Sequence, residues 1–540
     1  MRLLAPIIFL CLAAGCGKGV APPTNAIVSA EVGVMRHGAS EAASELYGGE
    51  STASSPDLFS MGREAIICDT PSRLLVKIPD AIGQVFTTAV RSTTAPNKEI
   101  TFSVVQRNGE ELEVLTSLSV NDNKWHPIQV RPNGGGELLL NASYTMPSAA
   151  SDAGPEIAWA TPNFSPSVHP PQSDVLFISI DTMRSASLSQ APFLSKLIAT
   201  GRQYTNAYSP SNWTLPAFAS VVSGLTPQQH GAGRGPFAEV AGGQADKRDF
   251  MSLADVPTFA EAFGDAGYAT AFIHQNPFLE SWTNIQQGFE MYARTADRVD
   301  SSQQLATTWW SANSHRARLL MLHFMEPHWP YSGEDDAQKY FGKDISDFFI
   351  LDNTPQQRRD FFTVDENVKD AVHAAYNAQI RHLDKQLELT LAELSKTSSD
   401  YVVVIHVDHG EELWDQGSFE HGHTFADCVV KVPLAIIHAG NIEAGQISKP
   451  VAAHHIGTYL LEHLGIENSM PASALGDNSN ADLSVTSTHS LYRSDIGGKT
   501  IHADGSYSVI NHQQLEYNGK PIEVPADVLA TLRQLGYSDD

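Results

Sequence analysis

The sequence predicts an α/β domain, a β-sheet covered by helices on both faces, preceded by an all-β sandwich. After Pro170 and Pro171, short apolar segments alternate with longer segments of helical periodicity, which is typical of an α/β sheet. Between 62 and 162, short alternating segments are separated by Asn-Gly and glycine-rich turns, which predicts the sandwich. The chain has 540 residues and is 42% hydrophobic, enough for several domains with buried cores.

The candidate elements are short in the sandwich and longer in the α/β part. In the sandwich, strands are expected at positions that include 74–78, 100–105 and 137–140. In the α/β part, the candidate strands are 175–180, 269–274, 319–324, 402–407 and 434–437. The candidate helices there are 191–200, 256–266 and 371–394.

The chain is strongly acidic, with 35 Lys and Arg against 61 Asp and Glu residues and a formal net charge of −26. Such a surface repels phosphate backbones, so a nucleic-acid partner bound through a basic face is not expected. An anionic substrate would need local positive charge, and a bound metal ion is the obvious source.

The first 16 residues are typical of a bacterial export signal. Arg2 precedes an apolar run that ends in LAAGC at Cys16, which resembles a lipobox. We therefore expect an exported protein whose lipidated Cys16 anchors it to the bacterial cell envelope, at the outer membrane or the periplasmic face. An ordinary cleaved signal with an incidental cysteine is the alternative. No later segment has the about 18 apolar residues that a membrane-spanning helix needs.

Residues 17–61 are rich in Ala, Ser, Gly and Pro without a sustained period, and this composition predicts a flexible linker. The sandwich is expected over 62–162. Two further cysteines, Cys68 and Cys428, are expected to be buried free thiols, with a disulfide between them as the alternative.

Acidic residues follow two of the candidate strands. Asp181 follows 175–180, and Asp408 with His409 follows 402–407. Because the carboxyl ends of strands in one sheet form a common binding edge, these carboxylates can meet, and a shared divalent cation would offset their repulsion. Two carboxylates and an imidazole suit zinc or manganese better than calcium, which prefers oxygen ligands. The alternative is that each Asp is a turn residue or a helix cap.

A threonine stands at the start of another predicted helix. Pro216, followed by small and apolar residues, is typical of a first helical turn, which places the Thr214 hydroxyl at the positive end of the helix dipole. An anion is stabilised there. A threonine hydroxyl bound to a divalent metal loses its proton readily and becomes a nucleophile. The alternative is that Thr214 only caps the helix.

Seven segments, in order, resemble those of the sulfatase family of the alkaline phosphatase superfamily. They are VLFISIDTMR (175–184), WTLPAFASVVSGLTPQQHG (213–231), TFAEAFGDAGYATAF (258–272), HFMEPHWPY (323–331), VVIHVDHGEELWDQG (403–417), EHGHTFADCVVKVPL (420–434) and LRQLGY (532–537). The resemblance implies an alkaline-phosphatase-like mixed sheet between helices. It places this catalytic core at 172–440 and a smaller C-terminal subdomain of the catalytic unit at 441–540.

The resemblance implies that Asp181, Asp408 and His409 are metal ligands and that Thr214 is the metal-bound nucleophile. Sulfatases have Cys or Ser at this position, which is oxidised to formylglycine, and an Arg where this chain has Phe218. Formylglycine chemistry is therefore not expected here. Replacement of the second Asp of sulfatases by a threonine, the residue after Asp181, removes a calcium ligand and again favours zinc or manganese.

The resemblance also assigns three histidines to catalysis. His328 stands where relatives place a histidine against the substrate oxyanion or a second metal, and His421 and His423 stand where relatives supply a substrate-binding cation or a metal ligand. One ion is expected. A second ion is the open alternative, held by Glu326 and His328 with His423 or His421.

These residues predict a metal-dependent hydrolase or transferase of phosphoric mono- or diesters or phosphonate esters, whose partner is an anionic ester substrate. One alternative is a sulfuric ester hydrolase that does not use formylglycine. The other is a catalytically degenerate, lipid-anchored protein whose sandwich binds a glycan. The leaving group of the substrate and the oligomeric state do not follow from the sequence.

Overall fold

The fold is that of a computed structural model, in which the chain divides into two compact units. The first comprises residues 1–171 with 290–293, and the second comprises 172–289 with 294–540. The structure describes residues 27–30, 35–37, 65–69, 72–78, 84–92, 99–121, 126–144, 156–160, 163–166, 173–234, 250–295, 299–314, 316–329, 331, 366–473, 475, 483–486, 498–502, 504–510, 520–522, 524 and 529.

The described part of the first unit consists of β-strands. They are β1 Ile27–Ala30, β2 Met35–His37, β3 Ala65–Asp69, β4 Ser72–Lys77, β5 Gln84–Ser92, β6 Ile100–Asn108, β7 Glu111–Val120, β8 His126–Val130, β9 Glu137–Tyr144, β10 Glu156–Ala160 and β11 Asn163–Pro166. One sheet has the order β1-β4-β9-β6-β7 and the other β11-β5-β10-β3-β2, with β8 paired to β5.

Alternate residues of both sheets form one apolar core. Leu74 and Val76 of β4 and Phe102 of β6 pack in the same cluster as Phe86 of β5 and Trp159 of β10. Because successive side chains of a strand point to opposite faces, this alternation buries one face of each sheet against the other. The predicted sandwich architecture is therefore present.

Two strands lie inside the range 17–61 that composition predicts to be a linker. Ile27–Ala30 pairs antiparallel with β4, and Met35–His37 pairs antiparallel with β3. The linker prediction is wrong for these two segments. Segments of three or four residues show no period of their own, and the strands that pair with them are distant in sequence. The signal segment with Cys16 lies outside the described residues.

The remaining strands lie in the second unit, except that residues 291–293 are grouped with the first. They are β12 Asp174–Ile180, β13 Arg202–Tyr208, β14 Gly233–Arg234, β15 Phe250–Ser252, β16 Ala269–His274, β17 Met291–Arg294, β18 Arg318–Phe324, β19 Tyr401–Val407, β20 Glu412–Leu413, β21 Phe419–Glu420, β22 Lys431–His438, β23 Gly445–Ile447, β24 Val451–Ala452, β25 Leu483–Thr486, β26 Gly498–Ile501, β27 Tyr507–Ile510 and β28 Lys520–Ile522.

Helices connect these strands. The α-helices are α1 Pro192–Ile198, α2 Thr214–Ser223, α3 Pro227–His230, α4 Phe259–Asp265, α5 Val299–Ala312, α6 Glu366–Leu394, α7 Asp427–Val430 and α8 Ile456–Leu464. Short 3₁₀ helices are Ser185–Gln190, Pro277–Leu279, Ser281–Thr283, Ser395–Thr397 and Ala453–His455. None of the helices in the described part of the chain is both long and apolar enough to cross a bilayer.

The central sheet is mixed. Strands β16, β18, β12 and β19 are neighbours in that order and run parallel. Strand β22 runs antiparallel to β19 and to β13 on its other side. Every residue of β12 is buried, as expected for a strand with both faces covered. The carboxyl ends of the four parallel strands therefore lie along one edge of the sheet.

The C-terminal part of the second unit, expected as a subdomain over 441–540, contains helix α8 and the three-stranded antiparallel sheet β25-β26-β27. The segment LRQLGY (532–537) lies outside the described residues. Cys428 is a free thiol that is partly buried.

Candidate metal centre

The predicted metal ligands follow two adjacent parallel strands. Ile180 of β12 is paired with Val407 of β19, so Asp181 and Asp408 come next on neighbouring strands. Asp181 continues the backbone pairing on its other side, because its N–H donates to the Phe324 carbonyl at 2.9 Å. The meeting of these carboxylates at one sheet edge, which the sequence predicts, is therefore a consequence of strand register.

Asp181, Asp408 and His409 form the cluster that could hold a cation. One ligand atom from each lies within 4.8 Å of the others, and the described residues contain no other such group. His409 Nε2 lies 3.5 Å from Asp181 Oδ1 and 3.5 Å from Asp408 Oδ2. All three side chains are fully buried.

The tautomer of His409 is set by its backbone neighbour. His409 Nδ1 lies 3.0 Å from the Gly410 carbonyl oxygen, which can only accept, so Nδ1 carries the hydrogen. In the neutral ring, Nε2 then presents a lone pair toward the two carboxylates. The His409 Nε2 lone pair and the two carboxylate oxygens repel one another unless a cation lies between them.

The two carboxyl groups differ in their pKa. Burial, followed by the negative charge of Asp408, raises the pKa of Asp181 well above its usual range. Burial also raises the pKa of Asp408, but the neighbouring imidazoles of His409 and His323 outweigh it and hold this pKa below its usual value. Two buried carboxyls this close cannot both be ionised without positive charge between them.

The donor set fits a divalent cation. Among the described residues, Asp181 Oδ1 and Asp408 Oδ2 have no hydrogen-bond partner although both are buried. Buried polar atoms are normally paired, so two unpaired carboxylate oxygens beside the His409 lone pair indicate a ligand position. Two carboxylates with an imidazole suit zinc or manganese.

Thr214 is the first residue of helix α2 and its hydroxyl enters the same cluster. Its Oγ1 lies 3.3 Å from His409 Nε2 and accepts a hydrogen bond from Asn276 Nδ2 at 3.2 Å. The N-cap of the helix is Trp213, and no side chain caps it. The alternative that Thr214 only caps the helix is therefore not supported.

Gly410 is required by the close packing behind His409. A Cβ at this position would lie 2.0 Å from the Cys428 carbonyl oxygen. The Gly410 N–H donates to the Val429 carbonyl at 2.6 Å, which ties the loop to the segment before β22. The glycine therefore lets the backbone approach closely enough to orient His409.

Of the three predicted catalytic histidines, His421 lies beside the cluster and His328 lies beside His421. The His421 ring centroid is 4.4 Å from that of His409, and the His328 centroid is 5.1 Å from that of His421. His421 Nδ1 lies 2.9 Å from Glu411 Oε1, and His328 Nδ1 bonds the Trp329 carbonyl. Each ring therefore has its Nδ1 held in place, which orients Nε2.

The alternative second metal set is not assembled. Glu326 Oε1 accepts the Val299 N–H at 3.0 Å. His423 Nε2 lies 2.9 Å from Ser418 Oγ, and its Nδ1 lies 3.0 Å from the His421 carbonyl. Within the described residues, Glu326, His328 and His423 do not form a group at ligand distance. Glu326 Oε1 and both ring nitrogens of His423 make local contacts instead.

The structure adds three residues that the motifs do not assign. Asn276 Nδ2 donates to Asp181 Oδ2 at 2.7 Å as well as to Thr214. His323 Nε2 lies 3.5 Å from Asp181 Oδ2, and buried Glu411 supports His421. The available signal was position, because Asn276 follows strand β16 by two residues and therefore lies at the same sheet edge.

Two buried carboxylates, an imidazole and a helix-leading hydroxyl at the carboxyl edge of a mixed sheet define an α/β protein with a candidate metal centre. The model of the sulfatase family matches residues 173–466, more than half of the chain. The chain therefore belongs to the sulfatase family.

Several solved structures are similar in fold. A phosphonate monoester hydrolase from Silicibacter pomeroyi is 18% identical, covers 67% of this chain and 94% of its own, and gives a TM-score of 0.45. A 2-O GAG sulfatase is 14% identical; the match covers 68% of this chain and 91% of the sulfatase chain, with a TM-score of 0.45. The C-terminal periplasmic domain of a phosphoethanolamine transferase from Campylobacter jejuni is 12% identical. The match covers 56% of this chain and 92% of the transferase domain, with a TM-score of 0.41. A comparison with curated protein sequences gave no match.

Proposed function

We propose that the protein is a metal-dependent hydrolase or transferase of phosphoric or related esters and that the Thr214 hydroxyl is its nucleophile. Membership of the sulfatase family supports action on sulfate or phosphate esters. The finer proposal is carried by the Thr214 hydroxyl, which lies 3.3 Å from His409 Nε2 beside the carboxylate cluster.

Asp181, Asp408 and His409 are the residues that would hold the cation, with zinc or manganese favoured by the donor set. When bound there, a divalent cation would lower the pKa of a nearby hydroxyl and neutralise charge on the ester oxygens. The −26 net charge of the chain makes such local compensation necessary for an anionic substrate.

The residues of the chain have separate tasks in this proposal. The Thr214 oxygen attacks phosphorus and releases its proton to solvent, and the bond from phosphorus to the leaving oxygen breaks as that oxygen takes a proton from His421. Asn276 directs its amide hydrogen to Thr214 Oγ1 and so orients a lone pair for attack. Backbone N–H groups at the head of α2 stabilise negative charge on the phosphoryl oxygens.

His421 is placed to move protons. Glu411 holds its Nδ1 hydrogen, so the second proton of the imidazolium is on Nε2. From there it passes to the leaving oxygen, and the neutral ring that results accepts a proton from the attacking water. Water then displaces the Thr214 oxygen from phosphorus and regenerates the free hydroxyl. With an alcohol in place of water, the same two steps constitute a transferase.

A threonine at position 214 favours phosphorus esters over sulfuric esters. Formylglycine is made from Cys or Ser, and this chain has neither at the head of α2. A sulfuric ester hydrolase that uses the threonine directly is the second candidate, because the family itself includes sulfatases.

The test is turnover of four ester classes by the purified full chain. Aryl sulfate, phosphate monoester, phosphodiester and phosphonate ester are compared with chelator, without chelator, and after return of zinc or manganese. We expect phosphorus esters to be cleaved, and chelator to abolish the activity. Thr214→Ala should lower kcat/KM by at least about 10²-fold, while Thr214→Ser, which keeps a hydroxyl, should lose less.

Each contrary outcome selects an alternative. Full activity in Thr214→Ala would show that another group is the nucleophile. Cleavage of the sulfate ester alone would favour the sulfuric ester hydrolase. No turnover together with no bound metal would favour the glycan-binding protein.

We also propose that Cys16 carries the lipid anchor of an exported protein. The proposal is supported by LAAGC at the end of the apolar segment. In a bacterial host, Cys16→Ala should move the protein from the membrane fraction to the soluble fraction, and labelling with a radioactive fatty acid should be lost. Unchanged labelling in the variant would contradict this assignment.

A further inference from the structure

The backbone is strained immediately after the first metal-ligand candidate. Thr182 has φ 54°, in the left-handed region that β-branched residues rarely adopt. Its side chain is fully buried. Such a conformation persists only when surrounding contacts hold it, and strained residues are common at functional sites.

One hydroxyl holds both ends of this turn. Tyr376 donates from its OH to the Thr182 carbonyl at 2.8 Å, and the same oxygen accepts the Arg184 N–H at 2.9 Å. A tyrosine hydroxyl has the one donor and the acceptor capacity that this arrangement needs. Burial raises the pKa of Tyr376 above its usual value, so the hydroxyl keeps its proton.

The tyrosine is itself fixed by packing. It lies on the long helix α6 and is almost fully buried. Its ring makes an edge contact with Tyr331 at a centroid distance of 5.5 Å. The hydroxyl therefore reaches the turn from a ring that is buried and packed on a long helix.

The turn at Thr182 also affects the orientation of Asp181. The Thr182 N–H interacts with the Asp181 carboxylate, and the Asp181 N–H is bonded to the Phe324 carbonyl at 2.9 Å. Tyr376 holds the next peptide, through the Thr182 carbonyl, so a change of φ or ψ at Thr182 would shift the Asp181–Thr182 peptide and reorient the carboxylate of Asp181.

We infer that Tyr376 is a positioning residue that clamps the Thr182 turn and thereby orients the Asp181 carboxylate for cation binding. The inference rests on the proposed cation site. If Tyr376 had only a packing role, removal of its hydroxyl would lower the stability of the protein. It would not change the affinity of the protein for a cation that the tyrosine does not touch.

Tyr268 provides a matched control for this distinction. It is also buried and donates from its OH to a backbone carbonyl, that of Ser173, at 3.1 Å. Ser173 precedes β12, at the end of the strand opposite Asp181. Tyr268→Phe removes a comparable hydrogen bond without touching the turn.

The experiment is Mn²⁺ titration by calorimetry of the full-length wild type, Tyr376→Phe and Tyr268→Phe, with the Tm of each recorded. We expect both variants to fold with lowered Tm. Tyr376→Phe should raise the Kd for Mn²⁺ about tenfold, which corresponds to about 1.4 kcal/mol, whereas Tyr268→Phe should change it less than about twofold.

A second pair of variants tests the strain directly. Glycine adopts positive φ without cost, so Thr182→Gly removes the need for a clamp. In that background, Tyr376→Phe should change the Kd less than about threefold. In a Thr182→Ala background, which keeps a Cβ, the about tenfold effect should remain.

The outcomes separate this inference from the proposed function. If the wild type binds neither Mn²⁺ nor Zn²⁺, or Asp408→Asn binds as well as the wild type, the cation site is wrong and the positioning role fails with it. If the wild type binds through Asp408 and Tyr376→Phe binds equally well, the positioning role alone is refuted. An about tenfold loss that persists unchanged in Thr182→Gly would also refute it.

Discussion

Removal of the Asn276 amide tests how the nucleophile and the first ligand are held. The amide donates to Asp181 Oδ2 at 2.7 Å and to Thr214 Oγ1 at 3.2 Å. Both acceptors are almost fully buried, so water cannot replace the lost donors without rearrangement. A hydrogen bond to a charged group contributes about 1.5–3 kcal/mol, and each 1.36 kcal/mol changes a rate tenfold. Asn276→Ala should therefore lower kcat/KM by about 10- to 100-fold.

A second substitution separates this effect from stability. Asn276 Oδ1 also accepts the Phe278 N–H at 2.8 Å, which caps the 3₁₀ helix Pro277–Leu279. Asn276→Ala should lose this cap and about 1 kcal/mol of unfolding free energy. Asn276→Asp keeps an acceptor for Phe278 but no donor for Thr214. Its kcat should fall, whereas its affinity for the cation should not weaken, because the new carboxylate adds negative charge beside Asp181.

The assay is steady-state turnover of the best phosphorus ester, with Mn²⁺ titration and urea unfolding of each variant. Thr258→Ala is the control, because Thr258 caps helix α4 by accepting the Glu261 N–H. It should lose about 1 kcal/mol of stability with kcat unchanged. If kcat/KM of Asn276→Ala stays within about threefold of the wild type, the orienting role of the amide is refuted.

Two further predictions concern the backbone behind the site and a buried histidine. Gly410→Ala should lower the unfolding free energy by about 1–3 kcal/mol and weaken Mn²⁺ binding, because its Cβ would meet the Cys428 carbonyl. Gly445→Ala is the control and should leave stability unchanged, because a Cβ at this position has open space around it. Equal effects of the two substitutions would contradict the packing argument. Burial lowers the pKa of His230 from 6.5 to about 3, so the unfolded chain takes up a proton that the folded chain does not, and stability is lost as the pH falls below about 6.5. Between pH 7.5 and 4.5, urea unfolding of the wild type should lose about 2–3 kcal/mol more than that of His230→Gln. Equal losses in both would show that His230 is not the group responsible.

Local patterns were sufficient for the elements that present the site. The continuous apolar runs before Asp181 and Asp408 predicted strands, and the structure places them at Asp174–Ile180 and Tyr401–Val407. Pro216 predicted the start of helix α2, which begins at Thr214. These features depend on a few adjacent residues, so the signal is complete within a short segment. The mixed sheet, which the family resemblance implied, is confirmed.

Short-range patterns failed where pairing partners are distant. Strand Ile27–Ala30 was missed because its pairing partner is β4, more than forty positions later. His423, which was assigned to the site with His421, has its Nε2 2.9 Å from Ser418 Oγ, whereas His421 Nδ1 contacts Glu411. Adjacent positions in a loop therefore did not imply a common direction of the side chains.

The sequence alone predicts the acidic residues at the strand ends, the hydroxyl at the start of a helix and the alternation of strands and helices that makes an α/β sheet. Only the tertiary structure decides that Asn276 reaches Asp181 across 95 positions of sequence and that Tyr376 reaches Thr182 across 194. The physical reason is that strand propensity and capping are local properties of the chain. Hydrogen bonds between distant side chains depend instead on strand order and helix packing, which form only when the whole domain folds.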